Sequence, residues 1–256
     1  MSVLKADNIV MQFGGVTAVN DLNIEVEKGK IVALIGPNGA GKTTAFNVIT
    51  GVYQPTKGSV YFNGEKITGL SPDKITNKGI ARTFQNIRLF KNLTVLDNIL
   101  IANHLHVKSN FLSYTTRMPW SRKEEKSMRS KSEMLLEKLG LLSLKNEIAH
   151  SLPYGEQRKL EIARALATDA KLLLLDEPAA GMNPSETMQL SGFIHTIRDE
   201  FELTIFMIEH HMDLVMEISD KIYVLDFGQL IAQGTADEVK NNKRVIEAYL
   251  GVEEDA

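Results

Sequence analysis

The residues best equipped for chemistry are Gly36-Pro37-Asn38-Gly39-Ala40-Gly41-Lys42-Thr43-Thr44, which satisfy the pattern G-x-x-x-x-G-K-[ST]. Glycines at this spacing let the backbone curl so that consecutive N–H groups point inward at phosphate oxygens, and a helix opening at the end of the run adds its positive terminus. Lys42 then neutralises the β and γ phosphates of a nucleotide, and Thr43 offers its hydroxyl to Mg²⁺. A second chemical group is Leu172-Leu173-Leu174-Leu175-Asp176-Glu177, an apolar run that delivers two carboxylates. Asp176 is expected to hold the magnesium, directly or through its water. Glu177 is expected to orient or deprotonate the attacking water, which contributes about 10²–10⁴ in rate. A third is Leu152-Pro153-Tyr154-Gly155-Glu156-Gln157-Arg158, leading into the alanine-rich stretch Lys159 to Ala167. A glycine-containing loop at a helix start is a phosphate site in its own right. One nucleotide cannot easily use two such sites from one chain, but two chains face to face can each close the nucleotide held by the other.

These groups need a rigid frame. The continuous apolar run Ile31 to Ile35 reads as a buried parallel strand feeding the glycine loop and a helix that begins near Lys42. From Leu4 to Val26 apolar residues alternate around Gly14-Gly15, as strands of an antiparallel sheet would. Val60 to Phe62 before Asn63-Gly64, and Ile80 to Phe84, read as further strands. Thr94 can cap a helix reaching roughly His104, and Arg122 to Leu142 reads as a second, charged helix. Between them, His106 to Ser121 carries Phe111, Leu112, Tyr114, Met118, Pro119 and Trp120, a contact surface or a local clasp. Lys171 to Asp176, Thr204 to Ile208 and Lys221 to Asp226 are strands among helices. The fold class expected is α/β, a mixed sheet core with an antiparallel β element and a helical subdomain. Its parts are a core over about 1–85 and 160–235, a helical insertion over about 86–159, and a tail over about 236–256.

Composition narrows the function classes. With 256 residues, 43% hydrophobic composition and a net charge of -3, the chain reads as a globular protein with no electrostatic argument for nucleic acid or an anionic membrane surface. No cysteine occurs, so no disulfide framework or thiolate metal site is available. Met1 to Asp7 lacks the apolar segment of a secretory signal, and no run approaches the roughly 20 apolar residues of a spanning helix. The expectation is a cytoplasmic chain, so that in any membrane work another chain does the spanning.

With its three groups in this order, the sequence resembles the ABC transporter ATPase family, a P-loop NTPase type, over nearly its whole length. Leu152 to Gln157 looks like the signature loop of that family, with Pro153, Tyr154, Gly155, Glu156 and Gln157 acting on the partner's nucleotide. The resemblance implies that Gln85, after Thr83-Phe84, senses magnesium beside Thr43 and Asp176 and contacts the permease. It implies that His210 is the switch histidine at the γ phosphate, with His211 its competitor, and that Phe13 stacks on adenine. Ala180-Gly181-Met182-Asn183 matches the loop that crosses a dimer. Singly, Phe13 or His210 would read as core and Gln85 as a strand-end surface residue; their shared order argues against that. Two positions depart from the pattern: Pro153 stands where the family usually has serine, and Asn183 where it usually has aspartate.

A narrower similarity, to the branched-chain amino-acid transport ATPases, rests on Tyr154 to Arg164, on Ile208-Glu209-His210 with Met212, and on Val245 to Gly251. The segment His106 to Ser121 is similar to an insertion in the longer of that system's two ATPases. The resemblance implies ATP and Mg²⁺, a second ATPase subunit, two transmembrane permease subunits, an external solute-binding protein acting indirectly, and a position on the inner membrane face. The alternatives are an ATPase for another cargo such as lipopolysaccharide export, a soluble ABC protein acting on ribosomes or DNA, and a P-loop kinase. A kinase leaves Leu152 to Gln157 and His210 without a role.

Overall fold

A computed structural model describes residues 1–106 and 119–250 of the chain. The chain forms two compact units, Met1–Gln85 with Lys171–Ala256, and Asn86–Ala170. Of the expected contact segment His106 to Ser121, residues 107–118 lie outside the described residues.

The first unit holds two sheets. β1 (Ser2–Phe13) and β2 (Val16–Glu27) form a hairpin whose turn sets Gly14 at φ 58°, and β4 (Lys57–Phe62) and β5 (Glu65–Lys66) complete an antiparallel sheet of order β2-β1-β4-β5. The second sheet contains β3 (Ile31–Ile35), β6 (Ile80–Arg82), β7 (Leu172–Asp176), β8 (Thr204–Ile208), β9 (Lys221–Asp226) and β10 (Gln229–Gly234), ordered β10-β9-β3-β8-β7-β6. All its pairings are parallel except β10 with β9. β3, β7 and β8 are buried at every residue, which is why they read as unbroken apolar runs rather than alternating ones.

Register sorts these runs into faces. Val32 pairs with Phe206 and Leu34 with Ile208, while Leu174 pairs with Phe206, so side chains two apart gather on one side of the sheet. On that side they join a core containing Leu4, Ile24 and Val60 of the antiparallel sheet and Ala45, Phe46 and Ile49 of α1 (Lys42–Ile49). The remaining helices of this unit are α2 (Pro72–Asn77), α6 (Pro184–Glu200), α7 (Met212–Ile218), α8 (Ala236–Lys240) and α9 (Lys243–Leu250).

The second unit is built on α3 (Val95–Asn103), α4 (Pro119–Lys138) and α5 (Tyr154–Leu166). Thr94 caps α3 by accepting the Asp97 N–H at 3.1 Å, as its position before the apolar run predicts. The buried amide of Asn103 donates to Ser132 Oγ at 2.7 Å, fixing α3 to α4. α4 ends short of the expected Leu142. Gly140 takes φ 72° and the Leu141 N–H reaches back to the Leu136 carbonyl, a left-handed cap that stops the helix. α5 begins earlier than Lys159, because Pro153 at φ -53° sets the entry and Tyr154 to Arg158 already wind helically.

Candidate active site

The parallel strands end at one edge, and β3, β6, β7 and β8 are followed there by expected site residues, as expected where ligands bind beyond the carboxyl ends of a parallel sheet. β3 runs into the glycine loop, where Gly36 adopts φ 150° against the Leu225 backbone and Gly41 adopts φ 101° against Ala18. A Cβ at either position would collide with a main-chain carbonyl, so only glycine fits. No side chain caps α1, whose first turn carries Lys42 and Thr43, so its opening N–H groups are suited to an anion. Lys42 is buried and donates to the Gly36 and Pro37 carbonyls at 2.7 and 2.9 Å. Burial lowers its pKa, and the negative charge of Glu177 opposes that shift. Asn38, Gly39 and Thr43 are exposed, while Pro37 and Thr44 are partly covered and Ala40 is buried.

β7 ends on Asp176, buried, and Glu177, which adopts φ 47°. A non-glycine residue in that left-handed region carries strain of order 1–3 kcal/mol, here on the residue expected to act on water. The Glu177 N–H donates to the Ile208 carbonyl at 2.9 Å, extending the β7–β8 ladder by one bond. Its carboxylate gathers two other expected site residues: Gln85 Nε2 donates to Oε2 at 2.8 Å, and His210 Nδ1 lies 3.5 Å from the same oxygen. His211 turns elsewhere, with Nδ1 3.1 Å from Glu209 Oε2. The geometry therefore separates the two histidines, since only His210 faces Glu177.

Phe13 is exposed and packs edge-on against Tyr53, with ring centroids 5.2 Å apart. In the second unit, Pro153 precedes α5, Tyr154 is exposed and Gly155 lies in the first helical turn. Glu156 pairs with Lys159 at 2.9 Å, and Gln157 Nε2 donates to the Leu152 carbonyl at 2.8 Å, which ties the loop to its helix. Asn183 forms a capping box with Glu186 at the start of α6, so its side chain is engaged as a helix cap.

Three residues escaped the sequence reading. Arg82 Nη2 pairs with Asp176 Oδ2 at 2.7 Å, Nη1 donates to Asn47 Oδ1 at 2.7 Å, and the guanidinium lies over the Phe46 and Phe84 rings. An arginine inside the short apolar strand Ile80-Ala81-Arg82 was the available signal. Glu209 is wholly buried at the end of β8, where a carboxylate following five apolar or β-branched residues could have been noticed. Tyr53 offers no pattern of its own.

Residues 19–180 match the ABC transporter family. The chain belongs to the ABC transporter family. Residues 229–255 match the branched-chain amino acid ATP-binding cassette transporter family as well. Across 97% of its length the chain is 47% identical to the high-affinity branched-chain amino acid transport ATP-binding protein BraF of Pseudomonas aeruginosa, of which it covers 98%. It is 45% identical to the corresponding protein LivG of Escherichia coli, with the same coverage on both sides. A crystal structure of the ADP conformation of an ATP-binding cassette superposes with a TM-score of 0.86 at 36% identity, covering 98% of this chain and 99% of that one. A nucleotide-free ATP-binding cassette superposes at 0.84, with 36% identity and coverage of 97% and 99%. The α/β fold expected from the sequence is thus the fold found, and the chain is an ABC ATPase that binds and hydrolyses ATP.

Proposed function

We propose that this ABC ATPase powers a membrane importer of branched-chain amino acids, leucine, isoleucine and valine. The observation that carries the hydrolytic part is the meeting of Gln85 and His210 on one oxygen of Glu177. Glu177 orients or deprotonates the attacking water, while His210 steadies the γ phosphate and Glu177 together. Lys42 releases the Gly36 and Pro37 carbonyls and turns to the β and γ phosphates, in a loop whose backbone already supplies N–H donors. Phe13, braced by Tyr53, stacks on adenine. Thr43, Gln85 and Asp176 would supply the hard oxygen donors that suit Mg²⁺, and Arg82 takes up Asp176 Oδ2, so that Oδ1 would be the carboxylate oxygen left for the cation. The ion would neutralise charge between the β and γ phosphates.

The cargo is supported by the relatives, whose names specify branched-chain amino acid transport over nearly the full chain. None of the described helices is long and apolar enough to cross a membrane, so permease subunits would carry the solute and hold this chain at the inner face. Phe90, Leu93, Ile101 and Leu105, exposed in the second unit shortly after Gln85, offer those permeases an apolar surface. A second ATPase, identical or paralogous, would present its own signature loop to the nucleotide at Lys42, while Pro153 to Gln157 of this chain close over the partner's. The solute-binding protein acts from outside through the permeases.

The test is uptake of labelled leucine, isoleucine and valine by cells lacking the chain, with affinity purification from solubilised membranes. Loss of uptake restored by the wild-type chain but not by Glu177→Gln, and recovery of two permeases with a second ATPase, bear out the reading. Unaltered uptake, or recovery of lipid-export proteins, would overturn the cargo.

A further inference from the structure

We propose that Glu209 is the positioning residue that locks His210 to the turn carrying Glu177. The inference rests on the assignment of those two residues to hydrolysis. β7 and β8 are in register from Leu172 with Thr204 to Asp176 with Ile208, and the ladder ends with the bond from the Glu177 N–H to the Ile208 carbonyl. Past that point the β7–β8 pairing ends, and this is where both functional side chains leave the sheet. The Glu209 carboxylate spans the gap. Oε1 accepts the Ala179 N–H at 2.8 Å, on the turn that follows Glu177. Oε2 accepts the N–H groups of His210 at 2.8 Å and His211 at 3.0 Å, and faces His211 Nδ1 at 3.1 Å.

The carboxylate has 0% exposure, and bonds from N–H groups to an ionised acceptor are among the stronger ones a protein makes. Removing its charge leaves buried N–H donors facing a weaker acceptor. Glutamine cannot replace it, because either orientation of the amide turns an NH₂ toward N–H donors. The Ala179 bond also steadies the left-handed backbone at Glu177, two residues earlier, a conformation that persists only where its surroundings hold it. One buried group therefore sets the spacing of His210 from Glu177, and a shift of the turn at Ala179 is passed to the His210 backbone. Glu209, His210 and His211 bring three ligand-type atoms within 4.8 Å. Both Glu209 oxygens already accept N–H bonds, which favours the strut over a cation site.

The test is a double-mutant cycle on the full-length chain, reading ATP turnover and the Kd of a fluorescent nucleotide. Glu209→Gln is expected to lower turnover about ten- to a hundredfold, the effect of losing a bond to a charged group, with Kd changed less than about threefold. In a His210→Ala background the same substitution is expected to add less than about a twofold loss, because there is no imidazole left to position. Turnover of Glu209→Gln near wild type, or an equal loss in both backgrounds, would overturn the inference. His210→Ala at full turnover would instead sink the assignment of His210, and this inference with it. If Glu209→Gln does not fold, hydrogen exchange on the wild-type chain decides. Slow, concerted exchange of the Ala179, His210 and His211 amides supports the tie, and fast exchange of Ala179 beside a protected His210 refutes it.

Discussion

Arg82 and Asp176 form a buried ion pair, Nη2 to Oδ2 at 2.7 Å, with only 9% and 8% of the two side chains exposed. The arginine comes from β6 and the aspartate from β7, and the same guanidinium reaches Asn47 on α1. It therefore fixes the carboxylate expected to serve the metal against the helix that carries Lys42 and Thr43. Breaking a buried pair leaves an uncompensated charge, which costs about 3–5 kcal/mol. Arg82→Leu is expected to lose stability on that scale in urea denaturation, and a midpoint unchanged from wild type would show that the pair is not holding the site.

Glu177→Gln should retain nucleotide binding and lose hydrolysis by about 10²–10⁴, the usual contribution of a positioned general base. Binding measured by fluorescence and turnover measured by phosphate release separate the two. Wild-type turnover in that variant would remove Glu177 from its role.

Lys42 carries a pH signature. Its pKa is lowered from 10.5 by burial, so the free chain loses the ammonium at a lower pH than an exposed lysine would. Because only the charged form pairs with phosphate, nucleotide affinity should fall as pH rises, starting below 10.5. The stability term runs the opposite way: with the folded pKa depressed, folding is favoured by rising pH between that value and 10.5. Lys42→Ala should weaken binding about 10- to 100-fold near neutral pH and abolish this alkaline fall. An alkaline fall of the same size in Lys42→Ala would assign it to another group.

Gly36→Ala should damage nucleotide binding, because its Cβ would meet the Leu225 carbonyl and the backbone there sits at φ 150°. Gly192→Ala, within α6 and with nothing within 4 Å of the added carbon, is the control and should stabilise the chain by about 0.5–1 kcal/mol. Equal nucleotide affinity in Gly36→Ala and wild type would contradict the close approach.

The sequence by itself determined the buried parallel strands and the loop that follows β3, though not the short β5 or the edge strand β10. A strand buried on both faces has to be an unbroken apolar run, and a backbone pressed against carbonyls has to be glycine, so Ile31 to Ile35, Leu172 to Leu175 and Gly36 to Gly41 were legible from residue type and spacing. Thr94 announced its cap for the same local reason. What depended on several strands ending at one edge was not legible. The resemblance singled out His210 over His211, but the physical reason that it faces Glu177 depends on where β8 ends relative to β7, and Arg82 finds Asp176 only because β6 lies beside β7. Gln85 and Glu177, and Ala179 and Glu209, are likewise far apart along the chain and meet within hydrogen-bond distance. Periodicity records which face a residue takes on its own element, whereas a charge is paired by whichever element packs next to it, and that order was set only when the sheet assembled.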